Sequence, residues 1–137
     1  MIEPASHTYR RIFITGASGY VGRNLIRHFT AKGCEVVGLA RSQASASIAE
    51  GLGASPVIGD ICDVGIGKHM TGCDALIHAA ADLDHGVPTE RQWRVNEEGT
   101  KNVFECARAA GVSSAINLGS DSVIADGRPL IDVDETK

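Results

Sequence analysis

Arg11-Ile12-Phe13-Ile14-Thr15-Gly16-Ala17-Ser18-Gly19-Tyr20-Val21-Gly22 is the stretch whose reading decides the fold. An apolar run feeds directly into three glycines, each three residues from the next. Apolar Leu25, Ile26 and Phe29 then recur at helical spacing, Arg23, Arg27 and Lys32 fall elsewhere, and Gly33 stands where a C-terminal cap belongs. A strand, a glycine turn and a helix in that order form a cradle for a dinucleotide. Gly16 supplies a backbone geometry closed to other residues, Gly19 lets the main chain approach a pyrophosphate, and Gly22 lets the helix pack closely. The helix start carries unpaired N–H groups and roughly half a positive charge, which favour an anion there. An ordinary packing turn would show the same glycines, but a second strand at Glu35–Ala40 completes a βαβ unit within about 30 residues.

Working outward, short apolar runs at 55–58, 74–79 and 114–118 read as strands buried on both faces of a parallel sheet. Helical patterns separate them: Ser45 to Leu52, a weak one from Val64 to Met70, and a long one from Thr89 to Ala110 that ends at Gly111. This alternation implies an α/β fold, a Rossmann-type doubly wound parallel sheet with strand order 3-2-1-4-5. The ligand of such a sheet lies across the carboxyl ends of its strands, so five loops are expected to meet one crevice.

The 137 residues read as one dinucleotide-binding domain, with residues 1–9 a flexible lead-in. Cys34, Cys62, Cys73 and Cys106 are widely spaced, with no Cys-x-x-Cys pair and no clustered histidines. That spacing argues against a metal site and a disulfide framework, and points to reduced thiols in a cytoplasm. A net charge of -4 with interspersed signs offers no stripe for nucleic acid, and no apolar run has the length of a membrane span.

The end of the second strand selects the cofactor. An acidic residue there commonly binds the ribose hydroxyls of NAD, but this chain has Ala40-Arg41-Ser42. The guanidinium of Arg41 can make two charge-assisted bonds to a 2′-phosphate, and Ser42 can add a donor. NADP is therefore expected ahead of NAD. Arg41 also suits two other roles, a solvated loop cation and a plate stacked on adenine.

With these residues in view, the chain resembles the N-terminal part of an extended short-chain dehydrogenase/reductase, the NAD(P)-dependent epimerase/dehydratase family. The glycine turn carries that resemblance, as does Gly59-Asp60-Ile61-Cys62-Asp63. By resemblance Asp60 accepts from the adenine amino group and the Ile61 amide completes the contact; helix capping is the competing role, and Asp63 suits it better. His78-Ala79-Ala80-Ala81 resembles the family's lining of the nicotinamide ribose, with His78 a core residue rather than a catalyst. Asn96-Glu97-Glu98-Gly99-Thr100 resembles a helix whose asparagine holds geometry beside the active site, and Gly99 there implies close packing against the sheet.

The segment Gly119-Ser120-Asp121-Ser122-Val123 resembles the family's catalytic hydroxyl segment, with Ser120 in register, although Ile124-Ala125 replaces its usual Tyr-Gly. Turn chemistry is the competing role for Ser120 and Ser122. Residues 125–136 resemble a loop of 3β-hydroxysteroid dehydrogenase-like members.

The resemblance also implies a Tyr-x-x-x-Lys pair, yet the tyrosines are Tyr9 and Tyr20, neither followed by lysine at that spacing. The sequence is therefore expected to stop before the proton donor, the later strands and the substrate domain. It is expected to be inactive alone, whereas the parent protein is expected to be a homodimer that transfers hydride between NADP(H) and an unidentified carbonyl or hydroxyl substrate. A non-catalytic NADP-sensing regulator or scaffold is the alternative.

Overall fold

The structure, a computed structural model, describes residues 9–83, 86–120, 134 and 136. Five parallel strands form one sheet: β1 (Arg11–Thr15), β2 (Glu35–Ala40), β3 (Ser55–Ile58), β4 (Ala75–His78) and β5 (Ser114–Asn117). Their order across the sheet is β3-β2-β1-β4-β5, the order the alternating pattern predicts. Successive strands are added to one side of β1 up to β3 and to its other side from β4, and this reversal of strand order between β1 and β4 creates the switch point where ligands of such folds sit.

Strand periodicity divides the core into two layers. Ile12, Ile14, Val36, Ala75 and Ile77 face one side and pack with Ile26 and Ala49. These last two come from the helices α1 (Tyr20–Ala31) and α2 (Gln43–Gly51). Phe13, Val37, Leu39 and Leu76 face the other side and pack with Ile66, Met70, Val103 and Ala107. Alternate residues of a strand point to opposite faces, so an unbroken apolar run is what two covered faces require. Gly38 fits the same scheme, because a Cβ there would lie 3.0 Å from the Ala17 side chain.

The long helical pattern after β4 is three pieces: α3 (Glu90–Trp93), a wide π turn over Arg94–Gly99, and α4 (Thr100–Ala109). Gly99 packs on the loop after β3 rather than on the sheet itself; a Cβ on it would lie 2.7 Å from Ile61 Cδ1. Such turns gather where helices serve a site. The weak pattern near Val64 is a tight 3₁₀ turn over Val64–His69, started by Asp63, whose carboxylate accepts from the Gly65 N–H at 2.8 Å.

Tyr9, assigned from sequence to the lead-in, is half-buried and packs on the first core layer, with its hydroxyl 3.1 Å from Ser114 Oγ. The ring covers apolar surface, which a loose tail could not do. Residues 1–8 of the expected lead-in lie outside the described residues. The Asp74 carboxylate accepts from the N–H groups of Arg10 and Arg11 at 2.7 and 2.9 Å, tying the start of β1 to β4. These two bonds hold its pKa below the ordinary carboxylate range. Among the described residues β5 pairs only with β4, and Ile116 is 57% exposed there.

Candidate functional site

A cleft of about 320 Å³ opens at the carboxyl ends of β1 to β4. Its floor and walls include Gly16, Ser18, Gly19, Tyr20, Val21 and Gly22 from the glycine turn, Arg41 after β2, Asp60 and Ile61 after β3, and Ala79, Ala80 and Ala81 after β4. Every cofactor-binding residue expected from sequence lines it except Ser42. Leu39, Ala40, Ser45, Gly59, Leu83 and Val95 complete the lining among the described residues.

The glycine turn is held by its own backbone. Gly16 has a φ of 66°, and a Cβ on it would lie 2.8 Å from the Ala79 carbonyl oxygen. A Cβ on Gly22 would meet the Gly16 carbonyl oxygen at 2.1 Å, so the close approach made by Gly22 is to the turn itself. Gly19 is the N-cap of α1 and offers no side-chain acceptor, and the first turn of that helix carries no acidic residue. Its leading N–H groups are thus left to whatever occupies the cleft. Arg23 donates from Nε to the Ser18 carbonyl at 2.6 Å, which fixes the outer side of the turn.

At the end of β2, Arg41 is exposed on the cleft rim and also borders a second cavity with Asp60, Cys62, Arg91 and Arg94. Ser42 is engaged locally rather than in the cleft lining: its Oγ accepts from the Ser45 N–H at 3.2 Å, which caps α2, and donates to Ser45 Oγ at 3.1 Å. The competition is local, because a serine at that position is the preferred partner of the helix it precedes. Asp60 Oδ1 accepts from the Cys62 N–H at 2.8 Å, so Asp60 shapes its own loop while Asp63 does the capping. Burial, with the Asp60 carboxylate adding to it, pushes the Cys62 thiol above its ordinary range.

The π turn and α4 hold the loops. Asn96 clamps the main chain of Asp82, accepting from its N–H at 2.8 Å and donating to its carbonyl at 3.0 Å. Arg91 adds an ion pair to the Asp82 carboxylate at 3.2 Å. Asn102 donates to the carbonyls of Ile61 and Asp63 at 2.7 and 3.1 Å and so fixes the loop after β3. His78 is 2% exposed and lies between Thr15 and Thr100, a core position rather than a cleft one.

Ser120 is exposed beyond the end of β5 and, among the described residues, does not line the cleft. Among the described residues, the loops after β1, β2, β3 and β4 line the cleft, and Ser120 stands to one side of it. The reason is lateral: β5 lies one strand, about 4.8 Å, beyond β4. Ser122, Ile124 and Ala125 lie outside the described residues, as does the 3β-hydroxysteroid dehydrogenase-like segment apart from Asp134 and Thr136.

Thr15, Thr100 and Asn102 were given no role by sequence reasoning. The partners that tie them to other elements lie 22 to 65 residues away along the chain, and a hydroxyl or amide at a strand end or on a helix gives no local signal of such a partner. Among the described residues no group of three or more His, Cys, Asp or Glu is placed to hold a metal, the four cysteines are free thiols, and no helix is long and apolar enough to cross a membrane.

Comparison with known proteins agrees with this geometry. Residues 12–137 match the model of the NAD dependent epimerase/dehydratase family. A 4-hydroxy-2-methyl-3-oxo-4-farnesyl-3,4-dihydroquinoline-1-oxide ketoreductase of Stigmatella aurantiaca is 41% identical over 128 residues, 92% of this chain and 38% of that protein. A 3-beta-hydroxysteroid dehydrogenase of Mycolicibacterium neoaurum is 33% identical over 138 residues, 92% of this chain and 36% of its own length. The chain thus spans little more than a third of these relatives. Among solved structures, a short-chain dehydrogenase/reductase superfamily protein from Agrobacterium tumefaciens with bound NAD superposes with a TM-score of 0.75 at 27% identity, covering 89% of this chain and 36% of that one. With the family model matched over nearly its whole length and the sheet, turn and cleft in place, the chain belongs to the NAD dependent epimerase/dehydratase family, the extended short-chain dehydrogenases/reductases.

Proposed function

We propose that the 137 residues form one dinucleotide-binding domain and that the cleft takes NADP in preference to NAD. The observation that carries this reading is the bare start of α1, where a glycine N-cap without a side-chain acceptor opens onto a cleft whose turn admits no Cβ at Gly16 or Gly22. The N–H groups of that first turn would hold a pyrophosphate, Asp60 and Ile61 the adenine, and Ala79, Ala80 and Ala81 the nicotinamide ribose side. Arg41 on the rim would take the 2′-phosphate, and Ser45, which lines the cleft where Ser42 does not, is placed to assist. Bound there, the cofactor supplies or accepts hydride.

In the whole protein these residues serve an oxidoreductase or epimerase/dehydratase acting on a carbonyl or hydroxyl group. The ketoreductase and hydroxysteroid dehydrogenase relatives support that class. Ser120 is the hydroxyl proposed to meet the substrate oxygen, and Asn96 supports it by fixing the Asp82 main chain. A Tyr-x-x-x-Lys proton donor is absent from these residues, so they bind cofactor without turnover. Free thiols and a reductive chemistry suit the cytoplasm.

Calorimetric titration of the chain with NADP and with NAD tests the reading. Tighter binding of NADP is expected. Arg41→Asp should remove that preference by about 10- to 100-fold, the range of one charge-assisted contact. No binding of either dinucleotide overturns the ligand, and an unchanged preference in Arg41→Asp overturns the role of Arg41.

A further inference from the structure

The hydrogen bonds around Thr15 can be counted, and the count fixes where each proton sits. Thr15 Oγ1 accepts from the main-chain N–H groups of Ala79 and Ala80, both at 3.1 Å. Those two bonds occupy both lone pairs of the hydroxyl oxygen. Its remaining contact, 2.7 Å to His78 Nδ1, must then be the hydroxyl's own donation. Nδ1 therefore carries no proton, the neutral ring holds its proton on Nε2, and Nε2 donates to Thr100 Oγ1 at 2.9 Å. Thr15 and His78 are both buried, so water does not relieve the bond between them.

The chain of bonds joins the end of β1, the end of β4 and the start of α4. It also bears on the cleft. The Ala79–Ala80 peptide that donates to Thr15 is the one that packs against Gly16, at 2.8 Å from the Ala79 oxygen and 2.9 Å from the Ala80 nitrogen to a Cβ built there. One peptide group thus meets the Thr15 hydroxyl and the first glycine of the cradle, and Ala79 and Ala80 both line the cleft.

We propose that Thr15, His78 and Thr100 are positioning residues: a proton-ordered chain that holds the Ala79–Ala80 main chain against Gly16 and shapes the cleft only while the imidazole is neutral. The inference rests on the dinucleotide reading for its function, though not for its geometry. A proton on Nδ1 would face an oxygen whose lone pairs are already taken, so Ala79 or Ala80 would lose its acceptor. The groups packed around the ring are Thr15 from β1, Asn117 in register on β5, and Thr100 and the edge-on Phe104 ring from α4. None of them carries a charge, and burial alone holds the imidazole below the ordinary histidine range. A lowered folded-state pKa means that the neutral arrangement is intact above the unfolded value of about 6.5 and is lost as pH falls through the folded value.

Three readouts on the full chain test this. Nitrogen-15 NMR of the histidines, with the His78 signals identified by His78→Asn, should show Nε2 protonated and Nδ1 bare; the opposite tautomer overturns the proposal. Amide protection at Ala79 and Ala80, taken relative to the intrinsic exchange rate at each pH, should fall in Thr15→Val and on acidification, and should be restored in Thr15→Ser; unchanged protection in Thr15→Val overturns it. NADPH affinity should fall about tenfold or more in Thr15→Val, in line with two N–H groups left without an acceptor. It should also weaken at acid pH more steeply in the natural chain than in His78→Asn, whose amide oxygen accepts from Thr15 without titrating, while protonation of the 2′-phosphate acts equally on both. An identical acid loss in His78→Asn overturns the role of the ring. Should Thr15→Val fail to fold, the tautomer and the His78→Asn pH profile still decide. Should the natural chain bind no dinucleotide, the ligand reading fails while the tautomer and exchange data stand on their own.

Discussion

The starts of α1 and α3 pose the same problem and answer it in opposite ways. At α3, Thr89 accepts from the Gln92 N–H at 3.2 Å and Gln92 returns the bond to the Thr89 N–H at 3.0 Å, a closed capping box. At α1, a longer helix at the centre of the fold, the cap is Gly19 and no side chain meets the leading N–H groups. The α2 start sides with α3, since Ser42 caps it. Capping is thus within the chemistry of this chain, even at α2, whose first turn borders the cleft through Ser45, and its absence at the α1 start, whose Gly19 to Gly22 line the cleft, marks that start as reserved for an anion.

The comparison can be broken by making α1 resemble α3. Gly19 has an extended backbone with φ of -73°, open to any residue, and a Cβ there would meet only the Gly16 oxygen at 3.2 Å. Gly19→Asp therefore supplies the missing acceptor together with a negative charge. Dinucleotide affinity should fall more than about 100-fold, because a like charge beside a phosphate costs several kcal/mol, while the melting temperature holds or rises. Loss of both affinity and stability would show that the position is merely structural.

A second break leaves the helix start bare but deforms the turn beneath it. Gly22→Ala places a methyl 2.1 Å from the Gly16 oxygen, and the backbone must move. Overpacking of this kind costs about 1–3 kcal/mol, or about 10- to 100-fold in affinity if the shift falls on the bound state. Unchanged calorimetric affinity would contradict the requirement for glycine there. The smallest effect sharpens the other side: Thr89→Ala should cost about 1 kcal/mol of stability in a denaturant titration and leave dinucleotide affinity untouched. A marked affinity loss would mean that the α3 start also serves the cleft.

The glycine turn, the five strands and their order were legible because each rests on local signals: spacing of glycines, runs of apolar residues and the alternation of elements. Twelve of the cofactor contacts expected from sequence line the cleft for the same reason, since strand-end loops of a doubly wound sheet converge. What sequence could not show depends on partners distant along the chain. The hydroxyl of Ser42 looked available until its helix claimed it. The π turn has no residue signature of its own and arises where Gly99 lies on Ile61. Ser120 falls in register with the strand ends, but register says nothing of the lateral distance that sets it apart from the cleft.

The central claim is that the bare α1 start receives the phosphates. Titrating nitrogen-15-labelled chain with NADPH while following backbone amides tests it directly. The largest shifts are predicted at Tyr20, Val21 and Gly22, with those of Glu90, Arg91 and Gln92 at the capped start of α3 far smaller. Shifts absent at Tyr20 to Gly22, or as large at Glu90 to Gln92, would contradict the account.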